Sequence, residues 1–246
     1  VVPYIKALES AEDGSVRYMS EDRGEDGKLV VRDEKALFKA ATDGVGDGDM
    51  VLCRMNAPLI SFAYGVLKRG VKCTIKGRDI GVGLVSVVRE RLTGDTPEEF
   101  VMSLKVWFEE EEGKLLRLGE SGVNKLAALG DKYDCLWALV QTIEGGKWIG
   151  GVEGGTESFK LKMVERIEGL FSDEAVSGVV CGTVHKMKGL EADRVWIIKP
   201  EVMPHPKAKG WSLEQEYNIM YVAVTRARRE LVVVGGRFGK RRMEGD

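Results

Sequence analysis

Two stretches in the last third of the chain hold residue types that together suit phosphate esters. Thr183-Val-His-Lys-Met-Lys-Gly-Leu-Glu191 offers a hydroxyl, an imidazole, two ammonium groups, a glycine and a carboxylate. Hydroxyls and cations suit phosphate oxygens, a carboxylate suits a ribose hydroxyl, and Gly189 adds flexibility. Tyr221-Val-Ala-Val-Thr-Arg-Ala227, followed by Arg228 and Arg229, adds guanidinium groups. A guanidinium aimed at a γ-phosphate neutralises charge that builds during phosphoryl transfer, an effect of roughly 10³–10⁵ in rate. Each stretch also has a plainer reading. Taken alone, the first reads more readily as a solvated polar loop, and the second as a set of cations at a helix end, where the dipole favours them.

Other chemistries find less support. Cys53, Cys73, Cys135 and Cys181 are widely spaced in apolar surroundings, with no C-x-x-C pair and no histidine at ligand spacing. They read as buried free thiols in a reducing compartment rather than as a disulfide or zinc framework. Asp43-Gly-Val-Gly-Asp-Gly-Asp49 has acidic spacing like a calcium loop, but its glycines do not fit an EF-hand and no Glu stands at the twelfth position.

The 246 residues suffice for one large domain or two small ones. Composition is that of a soluble globular protein, with 43% hydrophobic and 31% charged residues. No apolar run approaches the roughly 20 residues that span a bilayer, so no membrane partner is expected, and the reading is cytoplasmic. The opening Val1-Val-Pro-Tyr-Ile-Lys lacks an initiator Met and a signal pattern, as expected of part of a longer protein. Net charge is −2, unevenly spread: residues 181–246 hold 13 Lys/Arg against 8 Asp/Glu, and residues 1–180 hold 24 against 31. A nucleic-acid contact is then a local groove rather than a broad basic face. Lys240-Arg-Arg242 suits phosphates or is simply a solvated end.

The elements that must position these residues follow from periodicity. Residues 1–48 are polar and broken by Gly and Asp. Met50-Val-Leu-Cys-Arg54 has strand length. Pro58 is read as the first residue of a helix whose apolar face is Leu59, Phe62, Ala63, Val66 and Leu67, with Gly70 at its end. Val71-Lys-Cys-Thr-Ile75 is a second strand, giving a βαβ unit and a parallel sheet. From Gly81 to about Phe171 helical signals dominate: Thr96-Pro-Glu-Glu99 has capping-box form ahead of Phe100–Glu112, and Asp131–Ile143 and Glu157–Phe171 follow. Gly145–Gly151 reads as a turn. Strands return at Gly178–Cys181, Arg194–Ile198 and Leu231–Gly235. Ser212-Leu-Glu-Gln215 reads as a second capping box, opening a helix with Met220, Ala223, Val224 and Ala227 on one face. The expected organisation is an α/β domain in two parts, 1–80 and 172–246, interrupted by a helical insertion at 81–171. The Thr183–Glu191 loop between two strands falls where α/β sheets bind ligands, at strand carboxyl ends.

Order and spacing of the motifs carry a resemblance. Thr-x-His-x-x-Lys-Gly-Leu-Glu from Thr183, followed by Tyr-Val-Ala-Val-Thr-Arg-Ala from Tyr221, resembles motifs V and VI of the UvrD/Rep-like superfamily 1 DNA helicases. Leu52-Cys-Arg-Met-Asn-Ala57 resembles the family's further Arg-x-Asn-Ala motif on the same domain. Val1–Glu9 is similar to the text just downstream of motif IV, and the helical insertion matches only in position. The resemblance implies a RecA-like fold, with ATP and Mg²⁺ held in a cleft between this domain and an N-terminal RecA-like domain that carries the phosphate loop and the acidic Mg²⁺ ligands. It implies single-stranded DNA and duplex junctions as partners, and 3′ to 5′ translocation. Carried over residue by residue, Arg226 is the arginine finger and a catalytic group, and Gly189, Glu191 and Arg226 contact ATP. Arg54, Asn56, Thr183 and His185 contact DNA. No metal ligand is assigned; Lys186 and Lys188 are left as phosphate contacts or exposed cations.

The departures from the family are also specific. No G-x-x-x-x-G-K-[ST] occurs; Gly145-Gly-Lys147 lacks both the leading glycine spacing and the hydroxyl residue. The insertion is short, and Met187 stands where small residues are common, with little consequence expected. The reading is therefore the C-terminal motor domain of an ATP-dependent DNA helicase, not expected to hydrolyse ATP alone. Two alternatives stand beside it: a non-catalytic nucleic-acid-binding module on a helicase fold, and the helicase arm of a helicase–nuclease.

Overall fold

The computed structural model describes residues 28–32, 44–144, 158–173, 177–205, 208, 210–234 and 238. The Val1–Glu9 likeness, the Gly145–Gly151 turn and the Lys240–Arg242 run lie outside the described residues. By internal packing the chain divides into two units, Val1–Lys76 with Ala175–Asp246, and Gly77–Glu174.

Among the described residues the first unit is built on six strands: β1 (Lys28–Arg32), β2 (Met50–Cys53), β3 (Cys73–Ile75), β4 (Val179–Thr183), β5 (Ala192–Ile198) and β6 (Ala227–Val234). Their order in the sheet is β1-β6-β5-β2-β4-β3. Every pairing is parallel. With β2 between β4 and β5, all four of its residues are buried, which is why it reads as an unbroken apolar run rather than an alternating one. Asp49, just ahead of it, is also buried. Its carboxylate accepts from Arg194 Nη2 at 2.7 Å, Trp196 Nε1 at 3.0 Å and the Gly46 N–H at 2.9 Å. The acidic loop is thus an anchor onto β5, and Asp49 is spent on protein donors.

Helix α1 (Asn56–Lys68) packs on β2, β3 and β4 with Leu59, Ile60, Ala63 and Val66 fully buried. Its N-cap is Met55, so Pro58 is the third helical residue rather than the first. The displacement costs nothing, because the first four N–H groups of a helix lack intrahelical partners in any case. At the far end the Gly70 N–H reaches the Leu67 carbonyl at 2.9 Å.

The opposite face is covered by α6 (Trp211–Val224) together with the loop between β4 and β5. Met220, Ala223 and Val224 of α6, with Val184 and Met187 of the loop, pack on Met50, Leu52, Val195, Ile197, Leu231 and Val233. The sequence reading placed Ala227 on this helix and a side-chain cap at Ser212. Instead α6 starts after Gly210 with no side-chain cap and ends at Val224, and Ala227 opens β6. Arg228 and Arg229 accordingly lie on a strand.

The second unit is helical: α2 (Arg78–Glu90), α3 (Pro97–Leu116), α4 (Val123–Glu144) and α5 (Phe159–Leu170). Thr96 and Glu99 form the capping box read from sequence, with the Glu99 N–H donating to Thr96 Oγ1 at 3.2 Å. Phe100 meets Phe159 edge to face at 5.3 Å between ring centroids. All four cysteines are free and buried. Among the described residues no helix is long and apolar enough to cross a membrane.

Candidate nucleotide and nucleic-acid edges

The Thr183–Glu191 segment has one end at each edge of the sheet. Thr183 closes β4, where it is the register partner of Cys53 at the end of β2. Glu191 immediately precedes β5. Because β4 and β5 run parallel, the connection must carry the chain from the carboxyl edge back to the amino edge. Over the seven residues of β5 that is about 20 Å at roughly 3.3 Å per residue. The sequence reading put the whole motif at strand carboxyl ends, but only its beginning is there.

Two buried apolar residues hold the crossing down. Val184 is 1% exposed and Met187 fully buried. A Cβ on Gly182 would lie 2.7 Å from Met187 Sδ, so the missing side chain of Gly182 is the space that Met187 fills. The expectation that Met187 matters little is corrected: burying such a side chain is worth about 1.5–3 kcal/mol. Lys186 and Lys188, between and beyond the two anchors, are exposed. Gly189 turns the chain at φ +88°, with open space where a side chain would stand. Backbone conformation rather than crowding selects glycine there.

The amino edge collects Gly189, Glu191 and Arg226. Ala192 and Ala227 are register partners, and the Ala192 N–H donates to the Arg226 carbonyl at 3.1 Å. The Arg226 side chain donates from Nε to the Val222 carbonyl at 2.9 Å, from Nη1 to the Leu190 carbonyl at 3.3 Å, and from Nη2 to Thr225 Oγ1 at 3.1 Å. The Thr225 hydroxyl donates to the same Val222 carbonyl at 3.1 Å. Val222 is among the last residues of α6, whose carbonyls lack intrahelical partners, so Thr225 and Arg226 together cap the helix. These bonds use three of the five guanidinium N–H groups. Glu191 accepts from Arg228 Nε at 3.3 Å.

The carboxyl edge collects Arg54, Asn56, Thr183 and His185. Arg54 follows β2, and Asn56 is buried at the start of α1. Arg54 grips Glu216 of α6 with Nε at 2.8 Å from Oε2 and Nη2 at 2.6 Å from Oε1. Oε2 also accepts the His205 N–H at 3.0 Å. Burial pushes the Glu216 carboxyl up, but the bonds from Arg54 and His205 outweigh it and hold the group below the usual carboxylate range. His185 is held below its ordinary value by partial burial and by the positive charge of Arg54, against an opposing pull from Glu216.

The structure thus sorts the seven sequence-chosen residues into two groups on opposite edges, with α6 spanning from one to the other. Sequence reasoning missed Glu216. Its signal was legible: Glu216, Met220, Ala223 and Val224 share one helical stripe, and Glu216 is the one acid on it. The residues of the amino edge fit phosphate and ribose contacts by their donors and their carboxylate. Among the described residues no group of three or more His, Cys, Asp or Glu side chains converges to hold a metal ion.

Comparison with known families falls on this region. Residues 178–234 match the UvrD-like helicase C-terminal domain. That UvrD-like segment contains Thr183, His185, Gly189, Glu191, Glu216 and Arg226, and so takes in residues of both edges; Arg54 and Asn56 lie outside it. Over 92 residues the chain is 35% identical to F-box DNA helicase 1 of Gallus gallus, covering 31% of this chain and 9% of that relative. The match spans less than a tenth of the curated relative's length. The UvrD-like segment, on an α/β parallel sheet of RecA-like type, supports a helicase-type function and nucleic-acid binding.

Proposed function

We propose that this chain is the second motor domain of an ATP-dependent DNA helicase or translocase. In this reading the amino edge faces ATP held by a phosphate-loop domain, which also supplies the Mg²⁺ ligands. Arg226 reaches the γ-phosphate, and Glu191 and the backbone at Gly189 contact the nucleotide. The carboxyl edge carries single-stranded DNA past Arg54, Asn56, Thr183 and His185. Duplex junctions as substrate, 3′ to 5′ movement and a cytoplasmic setting belong to the same proposal.

The observation that carries it is the position of Glu191 and Arg226 at one edge, each just ahead of one of two adjacent strands of the UvrD-like segment. Such a finger contributes by neutralising charge on the transferred phosphoryl group, and two of its N–H groups remain for that purpose. In the polypeptide that joins this chain to a phosphate-loop domain, Arg226→Ala is expected to lower DNA-stimulated ATPase by about 10³-fold while single-strand binding persists. Turnover within about tenfold of the parent would sink the finger. ATPase activity from the 246-residue chain alone would sink the division of labour.

A second reading has one observation in its favour. Arg226 clasps the end of α6 and the crossing loop through Val222, Leu190 and Thr225, as suits a nucleic-acid-binding module that uses the arginine only as a helix cap. The same variant separates the two, since a cap alone leaves no effect on catalysis beyond that on stability.

A further inference from the structure

We propose that Glu216 is the positioning residue for Arg54, fixing its guanidinium so that its free edge receives a backbone phosphate of the bound strand. The inference rests on the reading of the carboxyl edge as a single-stranded DNA track and adds a residue that reading does not contain.

Glu216 occupies the apolar stripe of α6 and is only 6% exposed. A carboxylate there is costly to desolvate, and a buried ion pair is often no more stabilising than apolar residues of the same volume. What the pair supplies is geometry. A carboxylate gripping Nε and Nη2 side by side fixes the plane of the guanidinium, as a single contact does not. The carboxylate is itself fixed from a second direction, because Oε2 also takes the His205 N–H. Arg54 stands one residue beyond β2, so both ends of its side chain are tied to rigid elements.

The Glu216 bonds use Nε–H and one Nη2–H, leaving three of the five donors. The Arg54 side chain is 24% exposed against 8% for that of Glu216, so solvent reaches the arginine and hardly the acid. A phosphate diester then meets Arg54, and Glu216 acts only through it. The pair is neutral overall, so the contact discriminates by donor geometry more than by attraction of a polyanion.

The test is binding of a fluorescent oligothymidylate to the 246-residue chain, followed by anisotropy at several salt concentrations, with circular dichroism as the check on folding. Arg54→Ala is expected to weaken binding about tenfold and to lower the salt slope by about one. Glu216→Gln is expected to weaken it about fivefold or more, and to add nothing in the Arg54→Ala background. Arg54→Lys is expected to resemble Arg54→Ala, since an ammonium cannot grip a carboxylate at two points and still face a phosphate. Parental or tighter binding by Glu216→Gln overturns the proposal, as does an equal loss in both backgrounds. Should Glu216→Gln fail to fold, Arg54→Lys decides: parental affinity overturns the positioning role, and loss supports it. An unchanged affinity and salt slope for Arg54→Ala would instead overturn the reading of the carboxyl edge itself.

Discussion

Arg226 and Leu190 belong to different segments of the chain, yet the Arg226 guanidinium donates to the Leu190 carbonyl at 3.3 Å. With the backbone bond from Ala192 to Arg226, this fastens the end of the crossing loop to the end of α6. The arginine thus closes a helix and keeps two further donors at the amino edge, to which the proposed function gives a second task.

Arg226→Lys separates them. An ammonium retains the favourable interaction with the helix dipole, about 0.3–1 kcal/mol, but cannot reach three acceptors at once. Thermal denaturation of the chain is expected to register a loss of about 1 kcal/mol or less. On the proposed function, ATPase of a polypeptide that joins this chain to a phosphate-loop domain is expected to fall by at least about 10². Comparable small losses in both measurements would leave Arg226 a cap and nothing more.

The anchoring of the crossing loop gives a prediction about coupling. Met187→Ala empties a fully buried site and is expected to cost about 2–5 kcal/mol. Gly182→Ala drives a Cβ to 2.7 Å from Met187 Sδ and 2.8 Å from Cγ, an overpacking cost of about 1–3 kcal/mol. In the double variant the new methyl occupies space that Met187 vacates. Its cost in urea denaturation is expected to fall short of the sum by more than about 0.5 kcal/mol. Strict additivity would mean that the two residues do not share that space.

These residues also mark where sequence was a good guide and where it was not. The parallel sheet was legible because β2 and β6 carry buried apolar runs too short to be helices, separated by helical periods. The residue types of the two motifs were legible as well, since each bears its donors in one continuous stretch. What sequence could not place was which edge each residue reaches. That depends on the strand order, in which β2 lies between β4 and β5 and the connecting loop must cross a face. The end of α6 was misjudged because Ala227 continues its apolar spacing. The cap that stops the helix is made by the Thr225 and Arg226 side chains, which no periodicity reports. Glu216 was passed over because its partner Arg54 is 162 residues away.

The pH dependence of stability follows from His185 with a definite sign. Its folded value is lowered by partial burial and by Arg54. The unfolded chain therefore takes up this proton first, near pH 6.5, and the folded chain only at lower pH. Stability from this group is present above about pH 6.5 and is lost as pH falls from there through the folded value. Denaturant titrations between about pH 7.5 and 5 are expected to show this decline, and His185→Ala to flatten it. Glu216 acts in a lower window: its folded value is also lowered, so its contribution is present above the unfolded carboxylate value near 4.3 and lost below. An unchanged pH profile in His185→Ala would refute the assignment.

Asp49 is expected to be among the most sensitive positions of the sheet. It is 5% exposed and accepts from Arg194, the Trp196 indole and the Gly46 N–H. Asp49→Ala takes this acceptor away from the buried indole N–H and from Arg194, whose pKa the Asp49 carboxylate holds above the ordinary value. Removing one member of a buried pair costs about 3–5 kcal/mol; the Arg194 side chain is 35% exposed and can still find water, so about 2–4 kcal/mol is expected. Asp49→Asn keeps an acceptor for the indole and is expected to cost less. Both are read by denaturant unfolding followed by circular dichroism. Equal stability of parent and Asp49→Ala would mean that the loop is not anchored through this carboxylate.

The thiols give the last prediction. Cys53, Cys135 and Cys181 are each fully buried, and Cys73 is 5% exposed. Burial pushes Cys53 up to about 12, and raises Cys135 and Cys181 as well. Cys73 and Cys181 lie on adjacent strands with their sulfurs 3.5 Å apart, close enough to share a hydrogen bond that further raises Cys181. The thiolate is the species that reacts, so burial denies access to all four thiols and the raised values of Cys53, Cys135 and Cys181 disfavour their ionisation as well. In the folded chain at pH 8 an aromatic disulfide reagent is expected to label the four cysteines only as fast as the protein opens, and all four at once in denaturant. Rapid labelling of Cys53 without unfolding would contradict its burial beneath α1, and with it the packing that holds Arg54 at the end of β2.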